Sequence, residues 1–263
     1  MSLSNLFANR TSESPSARNT TVVICMAALF AVASGAVLAA PPAHAQGKQS
    51  PPAHTARPLV LAEQGSFFVG GEIVFSEFNF GEPDAPLFGP GDIAVNQMYV
   101  QYQIPKNKRY KYPVIMVHGG GHSGKTYETT PDGREGWFTS FTRRGFAPYV
   151  VDDPNRGRTC CEATQIHMVR MGLADPSTLP LTSQTAIQPA WGLFRFGPEF
   201  PESHPDIQFP VDSETVEQYM RQLVLSYRDP EEAGKIKDGI VALLEEIGPA
   251  ILMIHSQSGP PPD

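Results

Sequence analysis

The residues best suited to chemistry lie in two short segments, each delivered by an apolar run. Ile251 to Ile254 leads directly into His255-Ser256-Gln257-Ser258-Gly259. A serine set in a tight turn at the end of a strand is presented for attack on a carbonyl, and crowding there calls for small residues two before and two after it. Ser258 meets the second demand and Ile254 does not meet the first. The pentapeptide therefore fits Ser256 as a nucleophile but also fits an ordinary polar turn. The other segment is His118-Gly119-Gly120-Gly121, which follows Pro113-Val114-Ile115-Met116-Val117. Glycines at the end of a buried strand let backbone N–H groups approach a carbonyl oxygen, and each such donor lowers an acyl-transfer barrier by about 3–4 kcal/mol. A serine nucleophile beside an oxyanion-binding loop is the chemistry the two segments share.

Overlapping motifs offer competing readings. Gly119-Gly120-Gly121-His122-Ser123-Gly124-Lys125-Thr126 satisfies the glycine-rich phosphate-loop pattern, and Val150-Val151-Asp152 downstream resembles the metal-binding strand of nucleotide hydrolases. That chemistry needs a helix starting at Lys125 with its N-terminus facing the phosphates, and Pro131-Asp132-Gly133 interrupts within two turns. Nucleotide binding is the weaker alternative. His118 and His122 are four apart but joined by glycines, without the helix a zinc pair requires, so neither a metal nor another cofactor is expected. The nearby histidines His118, His122 and His255 occupy oxyanion-loop or turn positions, which suit a general base poorly.

These segments need a sheet to position them. Met98 to Ile104 alternates, with Met98, Val100, Tyr102 and Ile104 on one face, whereas 113–117 is apolar on both, as in a buried parallel strand. Ser66–Val69 and Glu72–Phe75, separated by Gly70-Gly71, read as a β-hairpin. A helix over Trp137 to Arg144 ends at Gly145 and precedes the strand Tyr149-Val150-Val151, which closes on Asp152 and Asp153. Ser213 to Arg228 carries Val216, Tyr219, Met220, Leu223, Val224 and Tyr227 at helical spacing. Asp229 caps a further helix, with Pro230 and Glu232 in its first turn, an apolar stripe Ile236, Ile240, Leu243, Leu244 and Ile247, and Gly248 at its end. Strands alternating with helices predict an α/β fold, mostly parallel with an antiparallel start. The 153–212 stretch is a long insertion holding Trp191, Phe194, Phe196, Phe200 and Phe209. It either roofs an apolar acyl or alcohol pocket as a cap or packs its rings on the sheet.

The chain has 263 residues and a formal net charge of −7, with no basic stripe, so a nucleic-acid partner is not expected. Its length suits one domain with a tail. Val22 to Ala40 is apolar except for Ser34 and Gly35, Arg10 and Arg18 lie upstream, and Ala43-His44-Ala45 precedes Gln46. Residues 1–45 thus read as a cleaved signal peptide, giving a secreted or periplasmic product without stable membrane association. An uncleaved anchor is the alternative, because the run approaches the roughly 20 residues of a bilayer-crossing helix. The Pro- and Ala-rich 46–60 stretch reads as a tether. Cys160 and Cys161 are adjacent. In an oxidising compartment they either close a small ring that stiffens one loop, stay free, or pair between chains.

As a set, Gly65-Ser66-Phe67-Phe68-Val69-Gly70-Gly71, Val95-Asn96-Gln97-Met98-Tyr99-Val100, Tyr102-Gln103-Ile104-Pro105, Tyr127 to Arg134 with Gly136-Trp137, Phe194-Arg195-Phe196-Gly197-Pro198 and His255 to Gly259 resemble a small family of secreted bacterial esterases of the α/β-hydrolase superfamily. The likeness runs from about Gly65 to Gly259. It implies an α/β-hydrolase domain over 61–263, a small-molecule ester substrate, Ser256 as nucleophile, and backbone N–H groups of Gly120 and Gln257 as the oxyanion hole. Some relatives carry adjacent cysteines where this chain has Gly120-Gly121. The pair at Cys160-Cys161 lies in another loop, so no oxyanion role transfers to it. In α/β-hydrolases the acid and the histidine follow the serine, yet only seven residues follow Ser256. The resemblance therefore implies a chain whose C-terminal strands, acid and histidine are missing, with activity impaired, or else a non-catalytic remnant.

Overall fold

In the computed structural model, which describes residues 58–77, 89–159, 161–228 and 230–259, the uniformly apolar runs form the middle and one edge of a sheet. In chain order the elements are β1 (Leu61–Val69), β2 (Glu72–Ser76), β3 (Gly91–Val95), β4 (Met98–Pro105), β5 (Val114–Val117), the single turn α1 (Lys125–Glu128), α2 (Trp137–Arg143) and β6 (Pro148–Asp152). There follow α3 (Thr164–Arg170), β7 (Leu181–Ser183), α4 (Ile187–Leu193), α5 (Ser213–Arg221), β8 (Ser226–Arg228), α6 (Glu232–Ile247) and β9 (Ile251–Ile254). The main sheet has the order β1-β4-β6-β5-β9. β5 runs parallel to β6 and β9, and β4 runs against both β1 and β6. This is the expected α/β architecture.

Side-chain alternation divides the core. Ile115, Val117, Tyr149 and Val151 join Met98, Val100 and Leu243 on one face, packed against the expected α6 stripe of Ile236, Ile240, Leu244 and Ile247. On the other face, Val114, Met116 and Val150 meet Tyr127 and Phe138 beside α2. All of β5 is buried, as a strand covered on both faces must be. β9 has an equally apolar sequence, but only β5 pairs with it among the described residues. Its Ile251, Leu252 and Ile254 consequently remain 44–48% exposed.

Two local expectations are corrected. Gly70-Gly71 does not close a hairpin. β1 pairs with β4 and β2 with β3, and the register runs on without a break: Val69 faces Met98 and Glu72 faces Val95. The two glycines (φ +62° and +71°) bend one long antiparallel ribbon opposite Asn96-Gln97. A Cβ on Gly71 would stand 2.5 Å from the Val95 carbonyl oxygen, so the bend rests on the absence of a side chain there. The helix expected over 213–228 stops at Arg221. Beyond it the Val224 N–H donates to the Gly121 carbonyl at 2.9 Å, and Ser226–Arg228 pairs with β7. Tertiary hydrogen bonds thus outweigh the helical periodicity of the last turn. α6 starts at Glu232, with Glu231 rather than Asp229 in the N-cap position and Pro230 before the helix, and ends at Ile247, with Gly248 (φ +81°) as the glycine stop expected there.

Residues 1–45, the tether up to residue 57, Cys160 and Asp229 lie outside the described residues. Cys161 is disulfide-bonded. Among the described residues no helix is long and apolar enough to cross a membrane.

Gly71→Ala is expected to cost at least about 1–2 kcal/mol, the penalty of a left-handed non-glycine residue, with the Val95 contact adding to it. Gly89→Ala, where a Cβ meets open space, should stay near wild type. Urea unfolding of both variants checks this.

Candidate active site

β9 ends at Ile254, His255 continues extended, and Ser256 then enters the left-handed region at φ +55°. A tight turn follows, with Ser258 N–H donating to His255 O at 3.3 Å and Gly259 N–H to Ser256 O at 2.9 Å. A serine in this conformation costs about 1–2 kcal/mol, and such strain concentrates at functional sites. Ile254 is accommodated two residues before the serine because it lies 44% exposed at the sheet edge. The Ser258 hydroxyl donates to the His118 carbonyl and ties the turn to the end of β5.

The glycine loop after β5 lies directly on this turn. A Cβ on Gly119 would stand 3.0 Å from Ser256 Cβ and 2.8 Å from His255 Nδ1, and one on Gly120 would stand 2.7 Å from Gln257 Oε1. A side chain on Gly119 would press on Ser256 itself, and one on Gly120 would displace the end of the Gln257 side chain. The Gly120 and Gln257 N–H groups donate to no protein acceptor among the described residues.

Buried polar groups hold the loop from behind. His122 Nδ1 lies 2.8 Å from the Gly120 carbonyl, which can only accept, so this nitrogen carries the proton; Nε2 then accepts from the Tyr219 hydroxyl at 3.2 Å. Burial lowers the His122 pKa, the His118, His255 and Arg156 charges lower it further, and the Gly120 bond only partly opposes them. His118 is fully buried; its Nδ1 donates to the Gly119 carbonyl at 2.9 Å and its Nε2 accepts from the Asp153 N–H at 3.2 Å. Burial pushes the Asp153 carboxyl up despite the nearby His118 and Arg156 charges. Asp152 is the converse case. Burial would raise its pKa, but hydrogen bonds from the Arg158 guanidinium and from the Arg158 and Gly124 N–H groups hold it below the usual carboxylate range.

Arg156, only 2% exposed, joins three parts of the site. It donates to the Gly119 carbonyl (3.5 Å), to Gln257 Oε1 (3.2 Å) and to Glu232 at the start of α6. Gln257 Nε2 in turn donates to Glu232 Oε2 at 2.8 Å. In front of the serine lies a cavity of about 630 Å³ whose lining includes Gly120, Gln257, Phe194, Phe196 and Tyr219.

No family model matches the chain. A probable secreted lipase, phiG, of Fungal sp. (strain ATCC 74256) is 31% identical over 167 residues, 62% of this chain and 43% of that protein. A solved structure described as a novel bacterial esterase superposes with a TM-score of 0.72 at 38% identity, covering 78% of this chain and 63% of that one. The chain shares the α/β-hydrolase fold of this esterase and is similar in sequence to both proteins. It spans less than two thirds of the length of each of these relatives.

Within this fold the three residues singled out from the sequence, Ser256, Gly120 and Gln257, all border one cavity. Lys125 does not serve a phosphate loop. α1 is a single turn, the lysine ammonium donates back to Thr129, and the Gly124 N–H points at Asp152. Trp191, Phe200 and Phe209 pack around Val216 and Tyr219, while Phe194 and Phe196 reach the cavity wall. The aromatics of 153–212 therefore divide between packing and lining. Arg156 carries no site signal in the sequence, and Glu232 is expected there only as a first-turn residue of the last helix. Nothing in the periodicity marks an arginine in a turn, or a first-turn glutamate, as buried partners across the site.

Removing one member of a buried ion pair leaves the other uncompensated, so Arg156→Met should cost about 3–5 kcal/mol, measured by urea unfolding. His122 makes the pH dependence signed. Its folded pKa lies below the ordinary 6.5, so the unfolded chain takes up the proton first and stability falls as pH drops below about 6.5. Wild type is expected to lose more stability than His122→Gln between about pH 7.5 and 5.5, as read from urea midpoints.

Proposed function

We propose that this protein is a serine carboxylic-ester hydrolase with Ser256 as nucleophile. The observation that carries the reading is the left-handed Ser256 at a strand end, beside a glycine loop in which a Cβ on Gly119 would stand 3.0 Å from Ser256 Cβ. Ser256 Oγ attacks the ester carbonyl carbon and gives its proton to a base. The oxyanion of the tetrahedral intermediate accepts from the Gly120 and Gln257 N–H groups, the alcohol leaves with the proton, and water releases the acid from the acyl-serine. Leu193, Phe194 and Phe196 on the 153–212 insertion border the cavity, which supports a cap that receives the acyl or alcohol chain. The name of the fungal relative, a secreted lipase, supports a 1–45 signal peptide and work outside the cytoplasm.

The base and the acid come after the serine in α/β-hydrolases. Both ring nitrogens of His118 and of His122 are already engaged, so neither supplies the base without breaking the loop's supports. The chain is expected to take a fluorophosphonate label on Ser256 that Ser256→Ala abolishes, with slow turnover of p-nitrophenyl butyrate. Labelling that survives Ser256→Ala would overturn the nucleophile assignment. Fast turnover lost in Ser256→Ala would place the base within this chain, with His255 the first residue to substitute.

A further inference from the structure

The cavity beside Ser256 has an unusual electrostatic lining. No Asp or Glu side chain borders it among the described residues, and Arg195 is the permanently charged side chain on its wall, in a chain whose net charge is −7. Arg195 has no salt bridge and no side-chain hydrogen bond among the described residues, unlike Arg156 and Arg158 of the same site.

The backbone beneath this side chain sharpens the point. Phe194 caps α4, and the two bonds that close its end are Phe196 N–H to Trp191 O at 2.9 Å and Arg195 N–H to Gly192 O at 3.1 Å. This pattern puts residue 195 in the left-handed region, at φ +62°, the position for which glycine is the preferred residue. An arginine occupies it at a conformational cost. The same bonds hold its Cα between Phe194 and Phe196, both of which border the cavity. A volume of about 630 Å³ accommodates a small ester with room beyond the reacting carbonyl.

We infer that Arg195 recognises a carboxylate on the substrate, so that the preferred ester carries a free acid group, as a half-ester of a dicarboxylic acid does. This rests on the ester-hydrolase reading of the same cavity. The ester carbonyl sits at Ser256 and the distal carboxylate at the guanidinium, where a charge-assisted bond selects it over a neutral ester of the same size. The hydroxyl of Thr185 and the amide of Gln184 also border the cavity and offer neutral donors within it.

The test separates this site from the chemistry. In the full chain carrying Ser256→Ala, NMR titration with monomethyl glutarate and with dimethyl glutarate compares a carboxylate with its neutral ester, without turnover. Monomethyl glutarate is expected to bind about tenfold tighter, the scale of one charge-assisted hydrogen bond, and added salt should erode the preference. Arg195→Gly should abolish the preference while melting at or above the wild-type temperature, because glycine suits the left-handed position. Arg195→Lys should retain part of it. Equal binding of the two probes, or a preference that survives Arg195→Gly, overturns the inference, as does a lower melting temperature for Arg195→Gly with the preference intact, which would assign Arg195 to the end of α4. An Arg195-dependent preference in a protein whose Ser256 takes no fluorophosphonate would keep this site and remove the hydrolase reading. A labelled Ser256 with no preference would do the reverse.

Discussion

The close approach of two backbone segments governs this site. The loop Gly119-Gly120-Gly121 comes so near to His255-Ser256-Gln257 that a single Cβ on Gly119 or Gly120 would fall within 3.0 Å of an atom of the turn. Parallel pairing of β5 with β9 makes this approach geometrically necessary, because strands that run together end together, and both segments leave the same end of the sheet. Two N–H groups without protein acceptors then lie beside a strained serine. The strain at Ser256 persists because the turn is fastened on several sides, by its own two backbone bonds and by the Ser258 hydroxyl on the His118 carbonyl.

The loop cannot hold itself, since glycines contribute neither packing nor side-chain bonds and lose the most conformational freedom on folding. Its rigidity comes from neighbours with buried polar groups: His122 between Gly120 and Tyr219, His118 between Gly119 and Asp153, and Arg156 bridging Gly119, Gln257 and Glu232. These contacts link β5, the turn after β6, α5, the start of α6 and the turn after β9. Val224 adds a backbone bond to Gly121. Buried charges of this kind contribute little net stability, because desolvation offsets their attraction. Their effect here is to restrict the loop to one arrangement.

Much of this frame was legible in the residues. Period-two alternation identified β4, uniform apolar runs identified β5 and β9, and the Ile236 to Ile247 stripe identified α6, because each is a pattern carried by neighbouring residues of one segment. The glycine loop and the serine turn were legible for the same reason, as local motifs fastened to strand ends. The bend at Gly70-Gly71 was misread as a reversal because either use requires positive φ, and only the identity of the partner strands distinguishes them. The end of α5 was misread because a helical stripe carried on past Arg221 into residues that pair with β7 instead.

What the sequence alone determined, then, was the set of elements, the α/β order, and the two segments that meet at the site, all of which follow from short-range periodicity and steric demand. Tertiary structure alone decided which strands pair. It also brought Arg156 and Glu232 together from either side of the 157–231 stretch, and it set Arg195 on the wall of a cavity otherwise without permanent charge. The physical reason is that a charge's role depends on burial and on its partners. Both come from chain segments far apart in sequence, and no local pattern encodes their meeting.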